Sequence, residues 1–473
     1  MINRGKTGDN IFSSREVEKL HEATLRVLKE SGVEVMSEKA RNVFKKAGVR
    51  VEGGTVFLSD SELEKYLKLV PDKFTLRARN SENDVEVGGN STVLAPGYGS
   101  PFVMDYPEYR RRPSKYEDYI NFTKLAQASD NIDVVGGVLV EPTDIEDRIR
   151  HGKMMEAAVK YSDKVLMGSA MGRKKAEESI HMAEIVFESE EFVRDNIVLI
   201  SLINTNSPLQ FDDRMSDALM AYSENKQAMV IASLSMTGTT SPTTLPASLV
   251  QQNAEILTGI VLTQMINPGT PVIYGSASSV VDLKTADLAL GSPETAKMFN
   301  GTAQLARYYG IPSRGGGALT DSLFPDSQAG YESMMNIMSA VNSGFHFILH
   351  ATGLLENYMS MSYEKFIIDD EICGIVKNIN EGLKVDDEFL AVDEIVNTGP
   401  GGNFISSEHT YRHMKDMRNP FLSKRERYFS DKEQLSAAER ANNKCKEILE
   451  NFEKPKIKKS VLNKLEKYIK SMG

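Results

Sequence analysis

Residues 228–233 read AMVIAS, residues 247–266 read ASLVQQNAEILTGIVLTQMI, and residues 271–275 read PVIYG. A short apolar run, a long stretch of helical composition and a second short apolar run make one strand–helix–strand unit, the repeat from which parallel sheets are built. The rhythm continues in both directions. Further strands are predicted upstream at 92–95, 133–140, 164–168 and 197–202, and downstream at 311–314 and 345–350. Helix signals fill the gaps. Ser292-Pro293-Glu294 supplies an N-cap with proline at the first helical position, and Pro113-Ser114 opens a segment holding Tyr116, Tyr119, Ile120 and Leu125. Other helices are predicted over 144–161, 173–189, 213–225 and 326–343.

Eight strands with a helix after each is the count of a closed α/β barrel, the (β/α)8 or TIM barrel, and residues 92–385 match its usual length with insertions. An open doubly wound sheet is the competing arrangement. It is disfavoured because no first strand runs into GxGxxG or GxxxxGK[ST], and the fragment Gly5-Lys6-Thr7 lacks both the upstream glycine and a preceding strand. Residues 1–91 read as an N-terminal α+β appendage that begins with a helix over 14–31. Residues 386–473 read as a C-terminal extension packing on the barrel, with a helical tail from about Asp431. Its last segment, 451–473, holds seven Lys against two Glu.

Composition sets outer limits. Across 473 residues, 41% hydrophobic and 26% charged content excludes wholesale disorder. Two cysteines, Cys373 and Cys445, exclude a disulfide framework and a thiolate zinc cluster. A net charge of -10 argues against nucleic acid as a partner. No run of 18 apolar residues occurs and the N-terminus lacks the apolar core of a secretory signal, so a cytoplasmic protein that does not engage a membrane is expected. There is no Trp. Any aromatic cage must come from the 17 Tyr and 19 Phe.

Functional groups of such barrels lie at the C-terminal strand ends. Those ends offer Tyr98 and Phe102, Glu141, Asn204, Arg314 beside Gly315 to Gly317, and Phe347 with His350. None of them supplies the buried Lys of a Schiff-base aldolase, and the first two strands hold no His for a metallohydrolase, so no metal site is expected. Glu141 with Asp321 could mimic a glycosidase pair, although the missing Trp disfavours a sugar platform. His21, His151 and His181 fall in helical segments and are expected at the surface. His409 and His413 share an i, i+4 spacing but lack a third ligand, which leaves His350 as the best histidine for a site. Arg314 suits a phosphate or carboxylate, or a structural partner in Asp321 or Asp326. Tyr98, Tyr331 and Phe347 are candidates for a cage around a quaternary ammonium group.

Four stretches carry a family resemblance: GYGSPFVMDYPEYRRRPSKYEDY (97–119), DVVGGVLVEPTD (133–144), IPSRGGGALTDSLFPDSQAGYES (311–333) and LHATGLLENYMSMSYEKFIIDDEI (349–372). They resemble the trimethylamine methyltransferase family of corrinoid-dependent methyltransferases. The resemblance implies a (β/α)8 barrel that moves a methyl group from a small methylated amine to the cobalt(I) of a separate corrinoid protein. Trimethylamine-specific members carry a pyrrolysine in the segment corresponding to about 320–328, which here reads TDSLFPDSQ with ordinary residues only. The chain therefore looks like the non-pyrrolysine branch, whose members act on quaternary amines such as glycine betaine, proline betaine or carnitine.

A trimethylamine-type activity is the alternative within the family. A phosphate-substrate lyase or isomerase using RGGGA as its anion site, and a betaine-binding module without catalysis, are the readings from other classes. The corrinoid (cobalamin) is expected on the cognate partner, because the carrier signature Asp-x-His-x-x-Gly is absent: none of the seven His has Asp two residues before it. His350 and Glu141 are the expected catalytic positions. Tyr98, Phe102, Asn204, Arg314, Tyr331 and Phe347 are expected to bind substrate, and a homo-oligomer is expected.

Overall fold

The computed structural model describes residues 2–3, 10–425 and 434–472. Gly5-Lys6-Thr7 and the helix start expected near Asp431 lie outside the described residues.

All eight strands form: β1 (Ser91–Leu94), β2 (Val134–Gly136), β3 (Val165–Met167), β4 (Leu199–Asn204), β5 (Ala228–Ser233), β6 (Val272–Ser276), β7 (Ser313–Arg314) and β8 (Phe347–Ile348). They pair in parallel in chain order from β2 to β8, and β8 pairs in parallel with β1. An aspartate helps to close the ring. Leu94 N donates to the Asp133 carboxylate and Asp133 N donates to Leu94 O, both at 2.8 Å, which joins β1 to the start of β2.

Each strand is followed by its helix: α1 (Tyr116–Ala128), α2 (Asp147–Tyr161), α3 (Arg173–Phe187), α4 (Asp213–Glu224), α5 (Leu245–Ile266), α6 (Pro293–Tyr308), α7 (Ser327–Ser343) and α8 (Tyr363–Asn380). The predicted N-cap of α6 is present, with Ser292 accepting from Thr295 N and proline in the first turn. Strand alternation divides the apolar residues. Val93, Val165, Ile200, Leu202, Val230, Ile273 and Phe347 fill the barrel interior, while Val135, Leu166, Leu199, Ile231 and Val272 face the helices.

The bottom of the barrel is plugged by an antiparallel hairpin, Lys73–Leu76 with Val85–Gly88, whose Phe74, Leu76, Val85 and Val87 join the interior core. This hairpin continues into β1 through the Gly88–Ser91 pair, so the boundary expected at residue 91 falls inside one ladder. Helices Ser14–Glu30 and Asp60–Leu67 pack on α5. At the other end, the mouth carries a small sheet. Strands Phe102–Asp105 and Arg110–Pro113 from the loop after β1 join Ser360–Met361 and Leu354–Leu355 from the loop after β8.

β7 and β8 are shorter than predicted: β7 begins only at Ser313 and ends at Arg314 as expected, while β8 keeps Phe347–Ile348 and leaves extended geometry before His350. Gly317 has φ +136 and His350 has φ 66. A Cβ on Gly317 would lie 2.6 Å from Leu349 O, and one on Gly315 would lie 2.4 Å from the Phe345 ring. The glycines of RGGGA thus serve the close approach of the chain's own elements.

Two C-terminal helices complete the molecule. Ala437–Glu450 packs on α8 and α1, and Lys459–Met472 lies on α2 and α3 with Val461, Leu465, Ile469 and Met472 buried. Among the described residues, no helix is long and apolar enough to cross a membrane.

Candidate active site

A cavity of about 230 Å³ opens at the C-terminal face of the barrel, on the side of β1 to β4. Its walls include Tyr98 from the β1 exit, Leu202 and Asn204 from β4, His151 and Met154 from α2, and Met215 from α4. The Tyr98 ring rests over Gly137, where a Cβ would come within 2.6 Å of it. Burial pushes the Tyr98 phenol up to about 12, so it stays neutral at working pH. The Asn204 Oδ1 is buried with no hydrogen-bond partner. Glu141 stands half-exposed at the rim, 2.9 Å from Arg150 Nη1.

A second polar group sits where β7 and β8 end, beneath the small sheet. Arg314 is fully buried; its Nη1 donates to Ser276 O at 2.7 Å and its Nε has no partner. Burial lowers its pKa to about 10, with Tyr358 opposing, which leaves it a cation at neutral pH. The His350 ring lies 4.9 Å from that of Tyr358, and its Nδ1 is buried and unpartnered. Burial, and then the Arg314 charge, hold its pKa well below the usual histidine range, so the imidazole is neutral. Burial raises Tyr358 to about 12 against the pull of Arg314.

The loop that presents Tyr358 is strained. Glu356, Asn357 and Tyr358 are three consecutive non-glycine residues with φ of 50, 52 and 75. Such conformations cost on the order of 1–3 kcal/mol each and persist where surrounding contacts over-determine them. Glu356 N donates to Ser322 O at 3.0 Å, Asn357 N donates to Thr320 O at 3.3 Å, and the Glu356 carboxylate binds Arg111 at 3.3 Å and the Ser360 hydroxyl. Thr352 Oγ1 and Asn357 Oδ1 are also buried without partners. An unpartnered buried polar group costs about 1–3 kcal/mol, and several together at a barrel mouth mark a site that a ligand completes.

The neutral His350 has a measurable signature. Its folded pKa is depressed, so as pH falls through the unfolded value of about 6.5 the unfolded chain takes up a proton that the native chain refuses. Stability is therefore full above that range and falls below it, at up to about 1.4 kcal/mol per pH unit for one such group. Burial also depresses His21 and His151, which add to the slope. Denaturation of the wild type and of His350→Asn between pH 7.5 and 5.5 is expected to show a shallower loss in the variant. An identical slope would mean that His350 is not held neutral.

The expected site residues divide. Tyr98, Glu141 and Asn204 line one cavity, and Arg314 with His350 forms the neighbouring cluster. Phe347 is fully buried in the barrel interior beside Val93, so it is a core residue and not part of a cage. Tyr331 is 63% exposed on α7, because a helix position in that turn faces solvent rather than the mouth. Phe102 lies 4.7 Å from the Arg111 guanidinium, so the cation it meets is the protein's own. Neither aspartate proposed for Arg314 pairs with it: Asp321 accepts from Gly291 N and Asp326 caps α7.

His151 corrects another expectation. It is buried, not at the surface, because its face of α2 turns toward α3 and the cavity; its Nε2 lies 2.8 Å from Glu178. Glu255 was missed altogether. Fully buried on α5, it accepts from Thr205 Oγ1 at 2.7 Å, Ser233 Oγ at 2.7 Å, Ser207 Oγ at 2.9 Å and Leu209 N at 2.9 Å, and so knits together the exits of β4 and β5. Its signal in the sequence is that it is the one charged residue of the helix LPASLVQQNAEILTGIVLTQMI. Among the described residues, no group of three or more His, Cys, Asp or Glu could hold a metal ion.

A parallel barrel with a cavity at its C-terminal face, walled in part by Tyr98, and unpaired buried groups at its strand ends is the architecture of an enzyme for a small polar substrate. Its kin define it further. The chain belongs to the trimethylamine methyltransferase (MTTB) family, whose model matches residues 1–472. It is 46% identical to the glycine betaine methyltransferase of Desulfitobacterium hafniense (strain Y51), across 98% of this chain and 97% of that protein. It is 36% identical to the proline betaine:corrinoid methyltransferase of Eubacterium limosum, across 84% of each. Among solved structures, the hydroxylamine complex of MtmB superimposes with a TM-score of 0.55 at 11% identity, covering 98% of this chain and 89% of that one, a likeness of fold.

Proposed function

We propose that this enzyme transfers a methyl group from a betaine-type quaternary amine, glycine betaine in the first place, to the cobalt(I) of a separate corrinoid protein and releases the tertiary amine. The observation that carries the reading is the cavity. It is faced by the neutral Tyr98 ring and the unpartnered Asn204 oxygen, while its carboxylates Glu141 and Asp147 stay at the rim in ion pairs with Arg150. An aromatic face and an amide oxygen attract a methylated ammonium without offering it a proton. None is needed. Cobalt(I) attacks the methyl carbon in line, the C–N bond breaks, and its electron pair stays on nitrogen, which leaves as a neutral tertiary amine. A neutral trimethylamine would have to leave as an amide anion.

Catalysis then rests on positioning and on the exclusion of water. Arg314, cationic and short of partners, receives the substrate carboxylate, and neutral His350 and Tyr358 hold the adjoining wall. Glu141 offsets the ammonium from the rim. The mouth itself is fringed by exposed Met171, Leu234, Leu283, Leu323, Phe324 and Met359, contributed by the loops after β3, β5, β6, β7 and β8. A ring of apolar side chains around a polar opening suits the docking of a protein that presents the methyl acceptor. The enzyme works as a cytoplasmic homo-oligomer.

The test is a substrate panel with a cobalt(I) corrinoid protein: glycine betaine, proline betaine, carnitine, choline and trimethylamine. Glycine betaine is expected to exceed trimethylamine by roughly 100-fold or more in kcat/KM, as the difference in leaving groups requires. A preference for trimethylamine would overturn the assignment.

A further inference from the structure

His151 enters the cavity wall from the second turn of α2 and is only 7% exposed. Its Nε2 lies 2.8 Å from the carboxylate of Glu178 on α3, which is as deeply buried. An ionised carboxylate only accepts, so the imidazole proton sits on Nε2 and Nδ1 is left as a bare acceptor. That Nδ1 is buried without a partner, as is Asn204 Oδ1 on the same cavity. The neighbouring residue, Gly152, lets the C-terminal helix close on α2 from the other side: a Cβ there would lie 3.1 Å from both Ile469 and Met472. Methyl transfer from a quaternary amine needs no proton acceptor. The lone pair of His151 must serve another purpose.

We infer that His151 is a substrate-binding residue whose Nδ1 lone pair, together with Asn204 Oδ1 and the Tyr98 ring, receives the N-methyl groups of the betaine, and that Glu178 positions it by fixing the tautomer. The inference rests on the betaine reading above. The methyl hydrogens of a quaternary ammonium share its positive charge and approach lone pairs and π faces, although they donate no ordinary hydrogen bond. Two bare acceptors beside an aromatic ring are electron-rich without being charged. That suits this reaction, because charge leaves nitrogen as the C–N bond breaks. A carboxylate in direct contact would hold the charged ground state more tightly than the transition state. Here Glu178 meets the imidazole and not the cavity, while Glu141 and Asp147 are paired with Arg150 at the rim.

The titratable groups around His151 are Glu178 with Lys174 and Lys175 on α3, Asp147 and Arg150 on α2, Glu141 on the loop after β2, Tyr98 at the β1 exit and Tyr468 on the C-terminal helix. Burial, opposed by Glu178 and aided by Lys175, holds the imidazole below the ordinary histidine value of about 6.5, so its lone pair is free at neutral pH. Protonation would set a cation against the substrate ammonium. Affinity for the betaine is therefore constant near neutrality and falls as pH drops through the folded value of His151.

Steady-state methyl transfer from glycine betaine to a cobalt(I) corrinoid protein tests this in the full-length enzyme. His151→Leu removes the lone pair, and Glu178→Gln donates an amide proton to Nε2, which moves the imidazole proton to Nδ1 and turns the acceptor into a donor. Each is expected to raise KM about 10-fold with kcat changed less than about 3-fold, since the contact belongs to the charged substrate. His151→Asn, which keeps an acceptor that does not titrate, is expected to retain a KM near that of the wild type and to lose the rise in KM that the wild type shows between about pH 7.5 and 5.5. Normal KM in folded His151→Leu and Glu178→Gln would overturn the inference, as would a pH dependence that persists in His151→Asn. A loss confined to carnitine would assign Nδ1 to a substrate hydroxyl instead, and also overturn it. Wild-type turnover of glycine betaine is the control: its absence would sink the betaine reading itself, whereas normal turnover with unaffected variants would sink only the role of His151.

Discussion

Arg314→Met is expected to lower kcat/KM for glycine betaine roughly 100-fold while leaving the melting temperature of the ligand-free enzyme unchanged or raised. The two effects have one cause. Arg314 is a fully buried cation whose described protein bond is Nη1 to Ser276 O, with Nε unpaired. A desolvated charge without a counter-ion is a liability in the free protein, and an apolar side chain of similar length removes it. In the complex the same charge meets the substrate carboxylate, and charged hydrogen bonds lost there are worth about 1.5–3 kcal/mol, which is that 100-fold at its upper end. Steady-state kinetics and a thermal melt on the same preparation check both halves. A destabilised variant with normal kcat/KM would make Arg314 a structural residue.

The largest effect on stability is expected at Lys365→Ala. Lys365 is buried on the first turn of α8, where its ammonium binds the Asp369 carboxylate, Ser333 Oγ at 2.8 Å and Ala318 O at 3.4 Å. Asp369 in turn accepts from Gly353 N at 2.8 Å. Through these contacts one ion pair ties α8 and α7 to the end of RGGGA and to the turn after β8, the two stretches that carry Arg314 and His350. Burial drives both partners toward their neutral forms, lowering Lys365 and raising Asp369, and their mutual attraction opposes it. Removing one partner strands the other charge, at a cost of about 3–5 kcal/mol. The apolar double replacement Lys365→Met/Asp369→Leu is expected to recover most of that loss. Chemical denaturation of the three proteins reads the difference, and a single variant within 1 kcal/mol of wild type, by the same scale, would show that the pair is not load-sharing.

The barrel was legible because its signal is repeated. Strand–helix alternation occurs eight times, and errors in one unit do not disturb the count. What could not be read was orientation at the strand exits. Phe347 and His350 lie three residues apart in GFHFILHATG, yet Phe347 enters the interior core while His350, at φ 66, turns out of the strand into the polar cluster. Periodicity cannot anticipate a residue that leaves the strand. Tyr331 failed for the related reason that proximity in sequence to β7 does not decide which face of α7 a side chain takes.

His151 and Glu178 were hidden by the same limit, since a helix that flanks a mouth turns one face inward and residue type alone does not tell which. The placement of Tyr98, Asn204 and Arg314 at the mouth was readable because Asn204 and Arg314 end their strands and Tyr98 follows β1 by four residues. The exposure of Leu383, Ile405 and Met417 was invisible for another reason. In sequence an apolar residue in an extension looks like a core residue, and its exposure exists only in three dimensions.

The reaction proposed for this barrel is the demethylation of a betaine with cobalt(I) as the nucleophile. The measurement that tests it most directly is a single turnover: enzyme, glycine betaine and a reduced corrinoid protein, followed by the loss of cobalt(I) and the rise of methylcobalt(III) absorbance, with the amine product quantified at the end. Methylcobalt and dimethylglycine are expected in equal amounts, with no transfer when the enzyme is omitted. Unchanged cobalt(I) in the presence of glycine betaine, or methylcobalt formed without dimethylglycine, would contradict it.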